Sequence, residues 1–236
     1  VKKIFNLPLA TIAFVFLLLT IGSCKKNNDP NVLGGDTNIP LTQKDSATSV
    51  YISINGQNMG GLEIKVVSND NGMVTYGATF DPSTLPDSTI TNFSTILPQL
   101  INYYNPKDIT YSIDGTGKLH VQFKLKITSE GMQSYFIDGK PWTVKYADPQ
   151  GTNYNLTRDN GDVLTATVTE KTGQDDWPYG FMYIKTSKVE FNCPATDPVG
   201  KKVTYRVNHK FGLVYLKAES KDGRVIELDL FPWFLL

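Results

Sequence analysis

Six Asn-Gly or Asp-Gly dipeptides, spaced among segments where apolar and polar residues alternate, limit what this chain can fold into more than any other feature. They are Asn55-Gly56, Asn71-Gly72, Asp114-Gly115, Asp138-Gly139, Asn160-Gly161 and Asp222-Gly223. A two-residue type I′ hairpin turn needs positive φ at both central residues, and these pairs supply it at low steric cost. Alternation is clearest in KLHVQFKLKIT, residues 118–128. Leu119, Val121, Phe123, Leu125 and Ile127 fall on one face, and His120, Gln122, Lys124, Lys126 and Thr128 on the other. A period of two marks a strand with one buried and one wet face. Strands are likewise expected over 51–54, 62–67, 73–80, 142–146, 163–170, 181–191, 202–208, 212–220 and 224–230. Successive strands joined by tight turns form an antiparallel meander, because parallel neighbours need crossovers of a dozen residues or more.

One segment departs from this pattern. In TNFSTILPQLINYYNPKD, residues 91–108, Phe93, Ile96, Leu97, Leu100, Ile101 and Tyr104 recur at helical spacing. Pro98 is tolerated only in a first turn and Asn105-Pro106 is a stop, so the spacing predicts a helix over 96–104. The preceding DPSTLPDST, residues 81–89, reads as a loop or a second short helical turn. The chain has 236 residues, 40% hydrophobic and 19% charged, enough for one globular core. The expected fold is mostly β: an antiparallel curved sheet or open barrel with one or two short helices, with a two-sheet β-sandwich as the alternative. A single β-rich domain is expected over 49–236.

The amino-terminal residues have different chemistry. Lys2 and Lys3 precede an apolar run, LATIAFVFLLL at 9–19, followed by the small residues Gly22 and Ser23 and then Cys24. Basic start, short apolar centre and small-residue exit predict a secretory signal peptide over 1–23. The run falls short of the ~20 apolar residues that a transmembrane helix needs. Ile21-Gly22-Ser23-Cys24 resembles the bacterial lipobox. That resemblance implies that Cys24 is lipidated and becomes the first mature residue. It also implies a diacylglycerol on sulfur and usually a third chain on nitrogen. Two or more chains give stable anchoring, at about 0.8 kcal/mol per buried methylene, where a single chain is marginal. The polar stretch after Cys24, up to residue 48, reads as a flexible tether spanning about 25–30 Å root-mean-square. By resemblance to the lipoprotein sorting rule, Lys25 after the cysteine implies the outer membrane. Lys25-Lys26-Asn27-Asn28-Asp29 holds one acid, so the periplasmic and cell-surface faces both stay open.

Little in the remainder points to catalysis. Cys24 and Cys193 are the two cysteines. An exported compartment permits a disulfide, but at the head of a tether a bridge would hold little. Cys193, followed by Pro194, reads as a small buried apolar residue. The two histidines, His120 and His209, have no second ligand at metal spacing, and no H-E-x-x-H, C-x-x-C or G-x-S-x-G is present. No cofactor or metal is expected. Losing Lys2 and Lys3 from 23 basic side chains leaves 21 against 23 acidic ones. With no basic stripe and a slightly negative balance, nucleic acid is not an expected partner.

The most unusual loop is GQDDWPYGF, residues 173–181, where Asp175 and Asp176 adjoin Trp177 and Tyr179. Flat aromatics beside carboxylates are a glycan-site composition, and paired carboxylates hydrolyse glycosides when held about 5–9 Å apart. These four residues are the candidate ligand-binding set. The competing reading is a solvent loop whose rings cover the edge of the core.

Two longer segments carry a further resemblance. VTYRVNHKFGLVYLKAESKDGRVIELDL at 203–230 and KITSEGMQSYFIDGKPWTVKYADPQGTNYNL at 126–156 are similar to the strand series of exported lipoproteins of Bacteroidetes type. The series also resembles, at the level of fold, the curved sheets of lipoprotein carriers, which hold helices against a concave side. The resemblance brings no catalytic residue. The expected function is a membrane-anchored, non-enzymatic binding module for a lipid, glycan or protein partner. The alternative is a glycan-acting hydrolase using Asp175 or Asp176.

Overall fold

The structure, a computed structural model, describes residues 32–81, 83, 109–135 and 140–232. The described residues form fifteen strands: β1 (Ala47–Ile54), β2 (Gln57–Asp70), β3 (Met73–Phe80), β4 (Ile109–Ile113), β5 (Leu119–Ile127), β6 (Gly131–Tyr135), β7 (Pro141–Lys145), β8 (Asn153–Thr157), β9 (Val163–Lys171), β10 (Trp177–Tyr179), β11 (Met182–Ile184), β12 (Ser187–Asn192), β13 (Gly200–Asn208), β14 (Gly212–Ser220) and β15 (Val225–Pro232). Among the described residues Pro40–Thr42 forms a 3-10 turn, and Ser83 also has 3-10 conformation. The helix expected over 96–104 and most of 81–89 lie outside the described residues.

Two of the six dipeptides form the expected turn, while at Asn160-Gly161 and Asp222-Gly223 only the glycine has positive φ, at Asp114-Gly115 neither residue does and Gly117 takes that role, and Asp138-Gly139 lies outside the described residues. Asn55-Gly56 has φ of 49° and 77°, and Asn71-Gly72 has 48° and 87°. Both pairs therefore occupy the left-handed region that a type I′ turn needs, joining β1 to β2 and β2 to β3.

The main sheet runs in the order β7-β6-β5-β3-β2-β1-β15-β14-β13-β12-β9-β8, with β4 on β5. It is two meanders fused where β1 pairs antiparallel with β15. This order forces the curvature. β7 and β8 occupy opposite ends of the path, yet only residues 146–152 separate them in the chain. Laid flat at ~4.8 Å per strand, those two edges would stand about 50 Å apart, while so short a connection reaches at most about 30 Å. The sheet therefore coils until its edges approach, giving an antiparallel sheet nearly closed into a barrel. The seam is closed by side chains. Lys145 N–H donates to Tyr154 Oη at 3.1 Å, and the Tyr154 hydroxyl donates to Asp148 at 2.8 Å. Lys140 donates to the Thr157 carbonyl at 2.6 Å and pairs with Asp159 at 2.8 Å. A two-sheet sandwich does not form; the second sheet is the small β10–β11 hairpin.

The interior explains why coiling is favourable. Val144 and Tyr146 from one edge pack against Tyr154, Leu164, Ala166, Val168, Val189 and Phe191 from the other arm. Trp142 meets Phe191 edge-on at 4.7 Å and donates its indole N–H to Tyr205 Oη at 2.7 Å. A second cluster of Val66, Val74 and Ile127 joins the first through Met132. Each fully buried valine contributes on the order of 1.5–3 kcal/mol of transfer free energy, and a flat sheet would forfeit this on one arm.

Some sequence expectations shift. The single strand expected over 181–191 is two, β11 and β12, belonging to different sheets. Strands β4, β6, β8 and β10 were not legible in the alternation. Residues 33–46, which the sequence reading assigns to the tether, lie against the sheet. Leu33 is buried, Gly34 N–H donates to Glu130, and Asp36 N–H donates to the Ser129 hydroxyl at 2.9 Å. Cys193, expected to be buried, is half-buried and packs against the larger core cluster.

Candidate functional site

The 173–181 loop folds back onto the outer face of the sheet. Trp177 and Tyr179 lie on β10, which pairs with β11. Tyr179 is buried between Phe211 at 4.8 Å and Phe231 at 5.5 Å, with Ile184 and Val214 completing the cluster. Val214 reaches the hairpin because the β13–β14 register slips there: Arg206 opposes Tyr215 and Val207 opposes Leu213. The unopposed residue is the extra one of a β-bulge. Val214 and Tyr215 both meet the hairpin in consequence.

Trp177 stacks under the Arg206 guanidinium, 4.1 Å from the ring centroid, with Tyr215 tilted against it at 5.5 Å. Arg206 is itself buried. It grips Glu170 through two bonds of 3.1 and 3.0 Å and donates to the Thr186 hydroxyl at 3.0 Å. Those bonds hold the Glu170 carboxyl below its ordinary range. Asp175 and Asp176 stay exposed in the loop before β10. The structure thus brings Trp177 and Tyr179 into a packed cluster with the sheet and leaves the two carboxylates outside it.

A different carboxylate pair sits nearby. Glu227 and Asp229 are two apart on β15 and share its outer face. The Tyr215 hydroxyl donates to Glu227 at 2.7 Å, and Ser53 donates to its other oxygen at 3.3 Å. Burial, with the Glu227 charge beside it, raises the Asp229 carboxyl above its ordinary value. Both carboxylates belong to a solvated sheet face of alternating charges, where Lys188 and Lys202 flank Glu190 at 2.8 and 2.7 Å.

On the inner face lies a cleft of about 70 Å³. Its apolar lining includes Ile64, Phe123 and Leu125 of the first arm, Leu41 of the 3-10 turn, and Leu213 and Leu230 of the other arm. Its polar side chains are Thr42, Thr48, Tyr76, Tyr146, His209 and Lys210. Tyr76 stacks on Phe123 at 5.2 Å, and burial drives its phenol well above the ordinary range. Tyr146 crosses the interior from the end of β7 toward the β13–β14 turn, where its Oη comes within 3.9 Å of a Cβ built on Gly212. Burial, with Tyr76 nearby, raises its phenol too. Tyr146 is only 9% exposed, and its hydroxyl has no hydrogen-bond partner among the described residues. An unpaired buried hydroxyl costs about 1–3 kcal/mol, so such groups are rare unless they serve a purpose.

The turn beside that hydroxyl is held firmly. Asn208, buried, accepts from Lys210 N–H at 2.7 Å and Phe211 N–H at 3.2 Å, and donates to the Lys185 carbonyl at 2.7 Å. This fixes His209 and Lys210 at the rim of the cleft, both exposed. In the sequence His209 has no second ligand at metal spacing, and Tyr146 ends the strand expected over 142–146. No local signal could have joined them, because the cleft is assembled from eight separate stretches of chain. His120, by contrast, lies on the wet face, between Asp114 at 2.9 Å and Thr79 at 3.0 Å.

Among the described residues there is no group of three metal-ligating side chains, and no helix is long and apolar enough to cross a membrane. Comparison of the chain with protein-family models and with curated proteins finds no match.

Proposed function

We propose that this chain is an exported lipoprotein, anchored through Cys24 to the outer membrane, whose barrel-like domain is a non-enzymatic binding module for a small lipid-like ligand. The inner-face cleft carries the reading: a mainly apolar lining, a minority of polar side chains and one buried hydroxyl with no hydrogen-bond partner among the described residues. Ligand sites have this character, an apolar lining with a small number of placed polar groups that fix orientation. Tyr76 and Tyr146 remain protonated across physiological pH because burial disfavours their anions. They act as hydrogen-bond donors, a role in recognition that needs no reaction. The volume suits a short apolar segment better than a whole phospholipid, since dedicated pockets for larger ligands run to several hundred Å³.

Two measurements test the proposal. The first is membrane fractionation of cells expressing the full chain and its Cys24→Ser variant. The anchor reading expects the unaltered chain in the membrane pellet and the variant released from it; a variant that stays in the pellet overturns the anchor. The second is native mass spectrometry of the full chain released from nanodiscs. A co-purified species with the mass of a single-chain lipid supports the module, whereas a glycan or a protein retained in its place redirects the assignment.

A further inference from the structure

We infer that the cleft selects an anionic amphiphile: one apolar chain carrying a single anionic head group, with the head seated where the Tyr146 hydroxyl meets the β13–β14 turn. This rests on the proposed lipid-binding reading and adds the chemistry of the head. Three observations place the head at that end. The Tyr146 hydroxyl is buried, without a hydrogen-bond partner among the described residues and directed at Gly212, the first residue of β14 after the turn. His209 and Lys210 of the same turn line the same cleft, and Lys210 supplies a cation. No Asp or Glu is among the described residues that line it. The polar groups at this end are therefore donors and a cation, with Tyr76 a further hydroxyl.

An alcohol head satisfies one donor and leaves the ammonium without a counter-charge. A carboxylate or a phosphate ester takes a hydrogen bond from Tyr146 and faces Lys210 at once, and charge-assisted hydrogen bonds are roughly twice as strong as neutral ones. The chain then runs away from the turn along the apolar side chains of Ile64, Phe123 and Leu125, beside which Thr42 and Thr48 bring hydroxyls but no charge. Asn208 holds the turn before the ligand arrives, so binding does not have to order it.

The test is calorimetric titration of the full chain in phospholipid nanodiscs, with empty nanodiscs as the blank. The probes are hexanoate, hexyl phosphate and hexanol, which distinguish a fatty-acid source from a phospho-lipid source and both from a neutral head. Saturable binding of an anion at least tenfold tighter than hexanol is expected, and whichever anion binds tighter names the source. Tyr146→Phe should weaken anion binding about tenfold and leave hexanol within twofold. The same variant without ligand should melt no lower than the parent, since it removes an unpaired buried hydroxyl. Lys210→Gln, at an exposed position that the fold does not depend on, should weaken the anions and abolish the salt dependence of their binding. Hexanol binding as tightly as hexanoate and hexyl phosphate, or both variants leaving anion affinity unchanged, overturns the head-group assignment while lipid binding stands. No saturable binding of any of the three overturns the proposed lipid-binding module itself.

Discussion

Replacing Arg206 by Ala tests how the β10–β11 hairpin is held to the sheet, and its cost can be worked from the contacts. The guanidinium is buried and makes three side-chain hydrogen bonds, two of them to Glu170. Removing one partner of a fully buried ion pair costs about 3–5 kcal/mol, because the other charge is stranded. Here the Glu170 side chain is 46% exposed, so water takes up its charge once the arginine is gone. That discount reduces the ion-pair part to about 1–2 kcal/mol. The Trp177 ring loses its cation partner, worth about 1 kcal/mol. The sum, about 2–3 kcal/mol, corresponds to a fall in Tm of about 4–12 °C for a domain of this size. The assay is urea unfolding, followed by tryptophan emission, with hydrogen exchange read on peptides covering 177–184. Arg206→Ala should lower the urea midpoint and speed exchange in the hairpin before the barrel. The pH dependence has a definite sign. Glu170 has its folded pKa depressed, so its share of the stability is present above the ordinary carboxylate value and is lost as pH falls through the depressed one. Glu170→Gln should therefore destabilise at pH 7 and converge on the parent at strongly acid pH. A variant at Arg206 with an unchanged midpoint and an equally protected hairpin would refute the reasoning.

Three other outcomes follow from the same structure. Gly131→Ala would place a Cβ 2.2 Å from the Val144 carbonyl oxygen and 2.9 Å from Leu33, so β6 must separate from β7; a loss of about 3 kcal/mol or more is expected by urea titration. Val168→Ala, at a fully buried position in the larger core cluster, should cost about 1.5–3 kcal/mol by the same measurement. Asp229 has its folded pKa raised by burial and by Glu227, so its contribution falls as pH rises from the ordinary carboxylate value through the raised one. Asp229→Asn should accordingly raise Tm at pH 7 and leave it unchanged at pH 2, which differential scanning calorimetry at the two pH values decides.

Legibility in the sequence tracked how much each strand depends on its own residues. β3 forms over Met73–Phe80, as its alternating apolar residues and the Asn71-Gly72 turn require, and β5 lies within one residue at each end of the alternating run. β4, β6 and β8, with the sequences ITYSI, GMQSY and NYNLT, carry too little apolar alternation to announce themselves. They are strands because β5, β7 and β9 offer them backbone partners. Within 181–191 no turn dipeptide separates the apolar residues 181–184 from Val189 and Phe191, yet Ile184 packs with Tyr179 on the outer face while Val189 enters the barrel core. Composition drew attention to the 173–181 loop, and its rings are indeed prominent, but their environment is set by Arg206 and Phe231, from other strands. Tyr146, the residue on which the cleft argument turns, gave no signal, because an unpaired hydroxyl is defined only by what surrounds it.

What the sequence alone determined was local: a period of two, turns that need positive φ, and hence antiparallel strands in succession. These depend on residues a few positions apart, whose energetics the chain carries wherever it goes. The tertiary structure decided which strands meet. β1 finds β15, and β7 comes round to β8, because a short connection and a shared apolar interior leave a coiled sheet as the arrangement that buries both arms at once. The cleft and its Tyr146 hydroxyl exist only after that closure, when a side chain from one edge of the sheet reaches the turn of the other arm.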